Sequence, residues 1–225
     1  MSDALESLYP FLYSGTGDLT AVLDQVRAST VAKAAEIGEL RRAVGARDGA
    51  RIEECAREMA ARFAAGGRLF AFGNGGSATD AAQLATLFLD PGGSAPPLPA
   101  FGLANDTSVI TALANDVGPG VIFARPLAAF GRRGDIAVGL STSGNSENLL
   151  RAFDEASRRG MLTIGLAGYD GGQMAELDSI DYLFVVPSSS VHRVQEAQTT
   201  IYQVLWELTT ELTAEEMSHV PRHTR

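Results

Sequence analysis

Two stretches carry residue types and spacings suited to gripping an anion. The first is Ser141-Thr142-Ser143-Gly144-Asn145-Ser146, which follows the apolar run Ile136-Ala137-Val138 and precedes a helical pattern of Leu149, Leu150, Phe153 and Ala156. The leading amides of a helix lack internal partners and carry partial positive charge, so a phosphate set there accepts bonds from them and from nearby hydroxyls. Taken alone, the stretch also reads as an ordinary Ser-capped turn, since Ser, Asn and Gly are common turn residues. The second is Asn74-Gly75-Gly76-Ser77, which follows the apolar Leu69-Phe70-Ala71-Phe72-Gly73 and opens a helical run from Thr79 to Leu89. No Lys follows the glycines, so neither turn is a Walker A loop, and the dinucleotide G-x-G-x-x-G spacing is absent. Two strand–turn–helix units of this kind can place both turns at the carboxyl edge of one sheet, where open α/β sheets bind ligands.

The elements that must position these turns follow from periodicity. Strands are expected near 68–72, 98–103, 135–140, 161–166 and 182–186, and helices near 78–89, 107–114, 120–131, 146–159, 172–177 and 190–217. Short apolar strands alternating with helices predict an α/β fold with a mostly parallel five-stranded sheet covered on both faces. Ahead of the first strand, one helix is expected over 19–44, with Asp18 as its cap, and a second over 46–65, ended by Gly66-Gly67. The expected organisation is an arm at 1–18, one domain over 19–217 and a polar tail at 218–225. The arm is apolar (Leu5, Leu8, Tyr9, Phe11, Leu12, Tyr13) and reads either as packed on the domain or as a docking segment for a protein partner. The last helix carries more apolar surface than solvent exposure calls for, which predicts a homo-oligomer.

Composition narrows the chemistry. A net charge of −9 argues against a nucleic-acid-binding face, and no apolar run is long enough to span a bilayer, so a cytoplasmic protein is expected. Lys33 is the only lysine, which disfavours Schiff-base chemistry. Cys55 is the only cysteine and sits in a helical pattern, where it reads as a small buried hydrophobe. Of the three histidines, His219 and His223 lie near the terminus, which disfavours a histidine-built metal site. Asp80 is expected to act electrostatically at the start of its helix.

The motifs Gly73-Asn74-Gly75-Gly76-Ser77, Ala114-Asn115-Asp116, Ser141 to Ser146, Gly168-Tyr169-Asp170-Gly171-Gly172 and Arg193-Val194-Gln195-Glu196 occur in an order and at intervals that resemble the sedoheptulose-7-phosphate (phosphoheptose) isomerases of the sugar isomerase (SIS) superfamily. The resemblance implies a SIS fold, a dimer or tetramer, and a sugar phosphate as ligand. It implies binding roles for Asn74, Gly75, Gly76, Ser77, Asn115, Asp116, Ser141, Thr142, Ser143, Ser146 and Gln195. An aldose–ketose isomerase moves a proton between C1 and C2 and needs a base and an acid there. The family supplies a Glu on the helix after the first turn and a His on the last helix, and some members add a zinc-binding His. At those three positions this chain has Leu87, Gln203 and Gln83. None exchanges a proton near neutral pH, so no cofactor or metal is expected.

His192 and Glu196 are the remaining candidates for proton transfer. The alternative is that His192 caps its helix or bonds a neighbouring subunit while Glu196 pairs with an arginine. A different functional class also stays open. One branch of the superfamily lacks the catalytic Glu and binds a replication-initiator protein as a non-catalytic adaptor.

Overall fold

A computed structural model describes residues 19–93 and 95–219. The arm at 1–18, the Asp18 cap and residues 220–225 of the tail lie outside them. The chain divides into two units, Met1–Glu39 and Leu40–Arg225. The described part of the first is helical, with Val22, Leu23, Val26 and Val31 exposed.

Among the described residues six helices and five strands follow one another as α1 (Leu19–Ala64), β1 (Leu69–Gly73), α2 (Gly76–Leu89), β2 (Ala100–Gly102), α3 (Thr107–Asp116), α4 (Ala124–Phe130), β3 (Ile136–Leu140), α5 (Glu147–Arg158), β4 (Leu162–Gly168), β5 (Tyr182–Val186) and α6 (Val191–His219). All four strand pairings are parallel, in the order β2-β1-β3-β4-β5. The predicted five-stranded α/β sheet is therefore present. The strands β1, β3 and β4 are buried along their whole length, as a sheet covered on both faces requires.

Alternate residues of the sheet feed two cores. Phe70, Phe72, Ala137 and Ala167 pack with Phe123, Leu127, Leu149, Phe153 and Met174 in one cluster beneath α4 and α5. On the other face α2 packs on β1 and on α6, and Phe63 of α1 meets Phe88 of α2 with ring centroids 5.2 Å apart. Cys55 is fully buried here, as expected, and burial pushes its thiol far above the usual range.

The expected helices depart from the structure in three places. The helices expected over 19–44 and 46–65 are one helix, α1, which runs through Gly45 and Gly49. A glycine in a helix costs only ~1 kcal/mol, and burial of Val44, Asp48 and Ile52 on the neighbouring turns offsets it. The helix expected over 120–131 is a 3-10 turn, Pro119–Val121, followed by α4. The helix expected over 172–177 is a 3-10 turn, Gly172–Glu176.

Candidate functional site

The strand order reverses between β1 and β3, which makes their carboxyl ends the switch point where ligands of doubly wound sheets bind. In register, Gly73 pairs with Leu140, so the Asn74–Ser77 and Ser141–Ser146 turns leave the sheet side by side. Each opens a helix whose start has no side-chain cap, at Gly75 for α2 and at Ser146 for α5. The amides of Ser77 and Leu149 already donate to the carbonyls of Asn74 and Ser146, so an outside acceptor would meet the amides at the very start of each helix.

The turns are tied to each other. Asn74 Nδ2 donates to Asn148 Oδ1 and Asn148 Nδ2 donates to Asn74 Oδ1, both at 2.9 Å. A pocket of about 350 Å3 opens here, lined by Asn74, Pro119, Gly120, Ile122, Ser146, Glu147 and Asn148. That volume suits a small phosphorylated ligand. The sequence reading gives no binding role to Asn148, which ends the hydroxyl-rich stretch, or to the Pro119-Gly120 turn.

The Ser141–Ser146 loop is held from beneath. Ser141 is buried; its Oγ accepts from Gly144 N at 3.0 Å and lies 3.5 Å from Ser146 Oγ. Its carbonyl accepts from Nε2 of Gln198, a side chain with no exposed surface. Ser141 therefore shapes the loop, while Thr142, Ser143 and Ser146 are half-exposed at its rim. The Tyr169–Gly172 turn buttresses the other side: Met174 N donates to Gly144 O at 3.0 Å and Gln173 N to Asn145 Oδ1 at 2.9 Å. Gly144 has φ +69°, and a Cβ on it would lie 1.9 Å from Gly171 O.

The last helix reaches the first turn through Gln195. Its amide lies so close to Gly76 that a Cβ there would stand 2.3 Å from Nε2. The same Nε2 donates to Asp80 Oδ2 at 3.3 Å, and Tyr202 Oη makes a long contact of 3.5 Å to Asp80 Oδ1. Burial raises the Asp80 carboxyl, and the hydrogen bonds from Gln195 and Tyr202 pull only part of the way back. Burial also raises the Tyr202 phenol; the Thr199 hydrogen bond opposes this, and the Asp80 charge adds to it. Asp80 sits beyond the first turn of α2 and is engaged by α6, so its role is more than the helix-start electrostatics expected of it.

The other candidates are placed as follows. Asn115 and Asp116 end α3, exposed, with Asn115 Nδ2 donating to Asp116 Oδ1 at 2.8 Å; the Pro119–Val121 turn that follows them enters the pocket. His192 is exposed in the first turn of α6, and the Glu196 carboxylate is paired with Arg193. Gln83 and Gln203 are exposed and Leu87 is half-buried. Two amides and a hydrocarbon do not form a zinc donor set, and among the described residues no three of His, Cys, Asp and Glu gather as one. Among the described residues no helix is long and apolar enough to cross a membrane.

A SIS domain model matches residues 34–168. The phosphoheptose isomerase of Pelodictyon phaeoclathratiforme is 45% identical over 173 residues, which cover 76% of this chain and 82% of that protein. That of Desulfovibrio desulfuricans is 45% identical over 177 residues, covering 73% and 83%. Among solved structures, a phosphoheptose isomerase from Francisella tularensis superposes with a TM-score of 0.77 at 29% identity, over 84% of this chain and 98% of that one. One from Neisseria gonorrhoeae gives 0.76 at 32% identity, over 83% and 99%. With the motifs, the sheet order and the paired turns all in agreement, the chain belongs to the phosphoheptose isomerase family of SIS-domain proteins.

Proposed function

We propose that this chain binds a phosphorylated ketose of the sedoheptulose 7-phosphate class in the crevice beyond β1 and β3. The observation that carries the reading is the pair of uncapped helix starts on adjacent strands, tied together by Asn74 and Asn148. In this reading the phosphate takes the amides at the start of α5 and the hydroxyls of Thr142, Ser143 and Ser146. The sugar lies toward Asn74, Gly75, Gly76, Ser77 and Gln195, with Asn115 and Asp116 closing the far side. Ser141 holds the loop in shape. The family's usual proton-transfer groups are replaced, because Leu87 and Gln203 stand where a carboxylate and an imidazole would serve. A homodimer or homotetramer in the cytoplasm is part of the reading; the exposed apolar residues Val22, Leu23, Val26 and Val31 support the assembly, which light scattering on the purified chain measures.

Calorimetric titration with sedoheptulose 7-phosphate tests the pocket. Saturable binding that Ser143→Ala and Ser146→Ala weaken is the expected result, and no binding at millimolar ligand overturns it. The replaced catalytic positions favour a second reading, a non-catalytic adaptor for a protein partner. Conversion of the ketose to an aldose, followed by NMR, excludes that reading.

A further inference from the structure

We propose that Asp80 is the proton-transfer group of this chain, working from the second turn of α2 in place of the carboxylate missing at position 87. The proposal rests on the sugar-phosphate reading above. Asp80 and Leu87 lie seven residues apart, so they share a face of α2, about 20° apart around the axis and ~10 Å along it. Asp80 is the one nearer the anion-binding turn. Gln195 and Tyr202 are likewise seven residues apart on α6, and they converge on the two oxygens of Asp80. Because the Gln195 amide also abuts Gly76, the carboxylate is coupled directly to the first turn of the cradle. Tyr202, not the exposed Gln203 beside it, is the residue of α6 turned toward α2.

Of the other carboxylates around the switch point, Glu147 pairs with Arg151 and Glu196 with Arg193, while Asp116, like Asp80, accepts from a side-chain amide but is exposed at the end of α3. Among the described residues no cation pairs with Asp80. Half-burial raises its proton affinity and the hydrogen bonds from Gln195 and Tyr202 offset part of that rise, the direction that favours a general base.

In the ketose-to-aldose direction Asp80 takes the proton from C1. The C1–H electron pair becomes the C1=C2 bond, and the C2=O pair moves onto O2. The proton on O1 passes to O2 as C1=O forms, and the C1=C2 pair takes the proton from Asp80 at C2. One hydrogen moves from C1 to C2 and one from O1 to O2, and nothing else is consumed. Tyr202 and Gln195 are positioning residues that hold the carboxylate in line.

The test uses the full chain with sedoheptulose 7-phosphate in D2O, with calorimetry for binding and proton NMR for turnover and for deuterium at C2 of the product. Wild type is expected to bind and turn over. Asp80→Asn is expected to keep its Kd within about threefold and to lose at least ~100-fold in kcat. Tyr202→Phe is expected to lower kcat several-fold with KM unchanged. Wild type that binds without turnover overturns the role of Asp80 and leaves the pocket standing; absence of binding overturns both. Unchanged kcat in a folded Asp80→Asn also overturns it. Should that variant not fold, Asp80→Glu decides: retained binding with kcat at least ~10-fold lower supports the role, and unaltered kcat overturns it.

Discussion

The amides of Asn74 and Asn148 bond to each other twice, each donating and each accepting at 2.9 Å, across the gap between two adjacent crossover units. This closed pair sets the spacing of the two turns, a preorganisation that would lower the ordering cost of the binding proposed above. Asn148 is buried whereas Asn74 is exposed, so the pair is anchored from the α5 side. Asn148→Ala should cost about 1 kcal/mol in urea unfolding, since the freed Asn74 amide is recovered by water. Its larger effect should be on sugar-phosphate affinity, weakened about tenfold in a calorimetric titration.

Gly144 makes a stricter demand. Its φ of +69° is left-handed backbone, and its Cα faces Gly171 O at a distance that admits no methyl group. Gly144→Ala must both bear that conformation, at ~1–2 kcal/mol, and push the Gly171–Gly172 turn away. The bonds from Gln173 N and Met174 N that brace the loop would go with it. The expected outcome is a loss of at least about 2 kcal/mol in denaturant unfolding and loss of measurable phosphate binding.

Much of this arrangement was legible in the chain. The two turns and the five strands follow from apolar runs that end in Gly, Ser and Asn, because sheet burial and turn chemistry are local in sequence. The contacts that complete the site are not local. Asn148 lies 74 residues from Asn74, Gln198 lies 57 from Ser141, and Gln195 lies 115 from Asp80. Asp80 in particular reads as an ordinary acidic residue near a helix start until α6 is laid against it. The continuity of α1 was hidden for the opposite reason. Gly45 and Gly49 are locally poor helix formers, and tertiary burial on adjacent turns overrides them.

The environment of Asp80 also predicts a pH dependence of stability. Burial raises the carboxyl, so the folded chain holds this proton more tightly than the unfolded chain does. The favourable contribution exists at acid pH and is lost as pH rises through the raised value, above which the charged group costs stability. Asp80→Asn removes that cost. The Tm of the variant minus that of wild type, followed by calorimetry from about pH 4 to 8, should therefore move upward. A flat or falling difference would mean that Gln195 and Tyr202 stabilise the charged form more than burial opposes it.

At the far end of β3, Asp135 organises the entry to the sheet. It is buried and accepts from Arg68 N at 2.9 Å, from Arg68 Nη2 at 2.7 Å and from Arg132 N at 2.9 Å. Asp135→Ala leaves two backbone donors without their acceptor and a largely buried guanidinium without its counter-charge, which should cost about 3 kcal/mol. For a domain of this size that is a fall in Tm of roughly 10 °C. Asp135→Asn keeps one acceptor and should lose about half as much. The length of β3, ~16 Å, separates this position from the Ser141 turn. Sugar-phosphate affinity measured well below the melting transition should therefore stay at the wild-type value, and a parallel loss of affinity would show that the sheet entry and the ligand crevice are mechanically coupled.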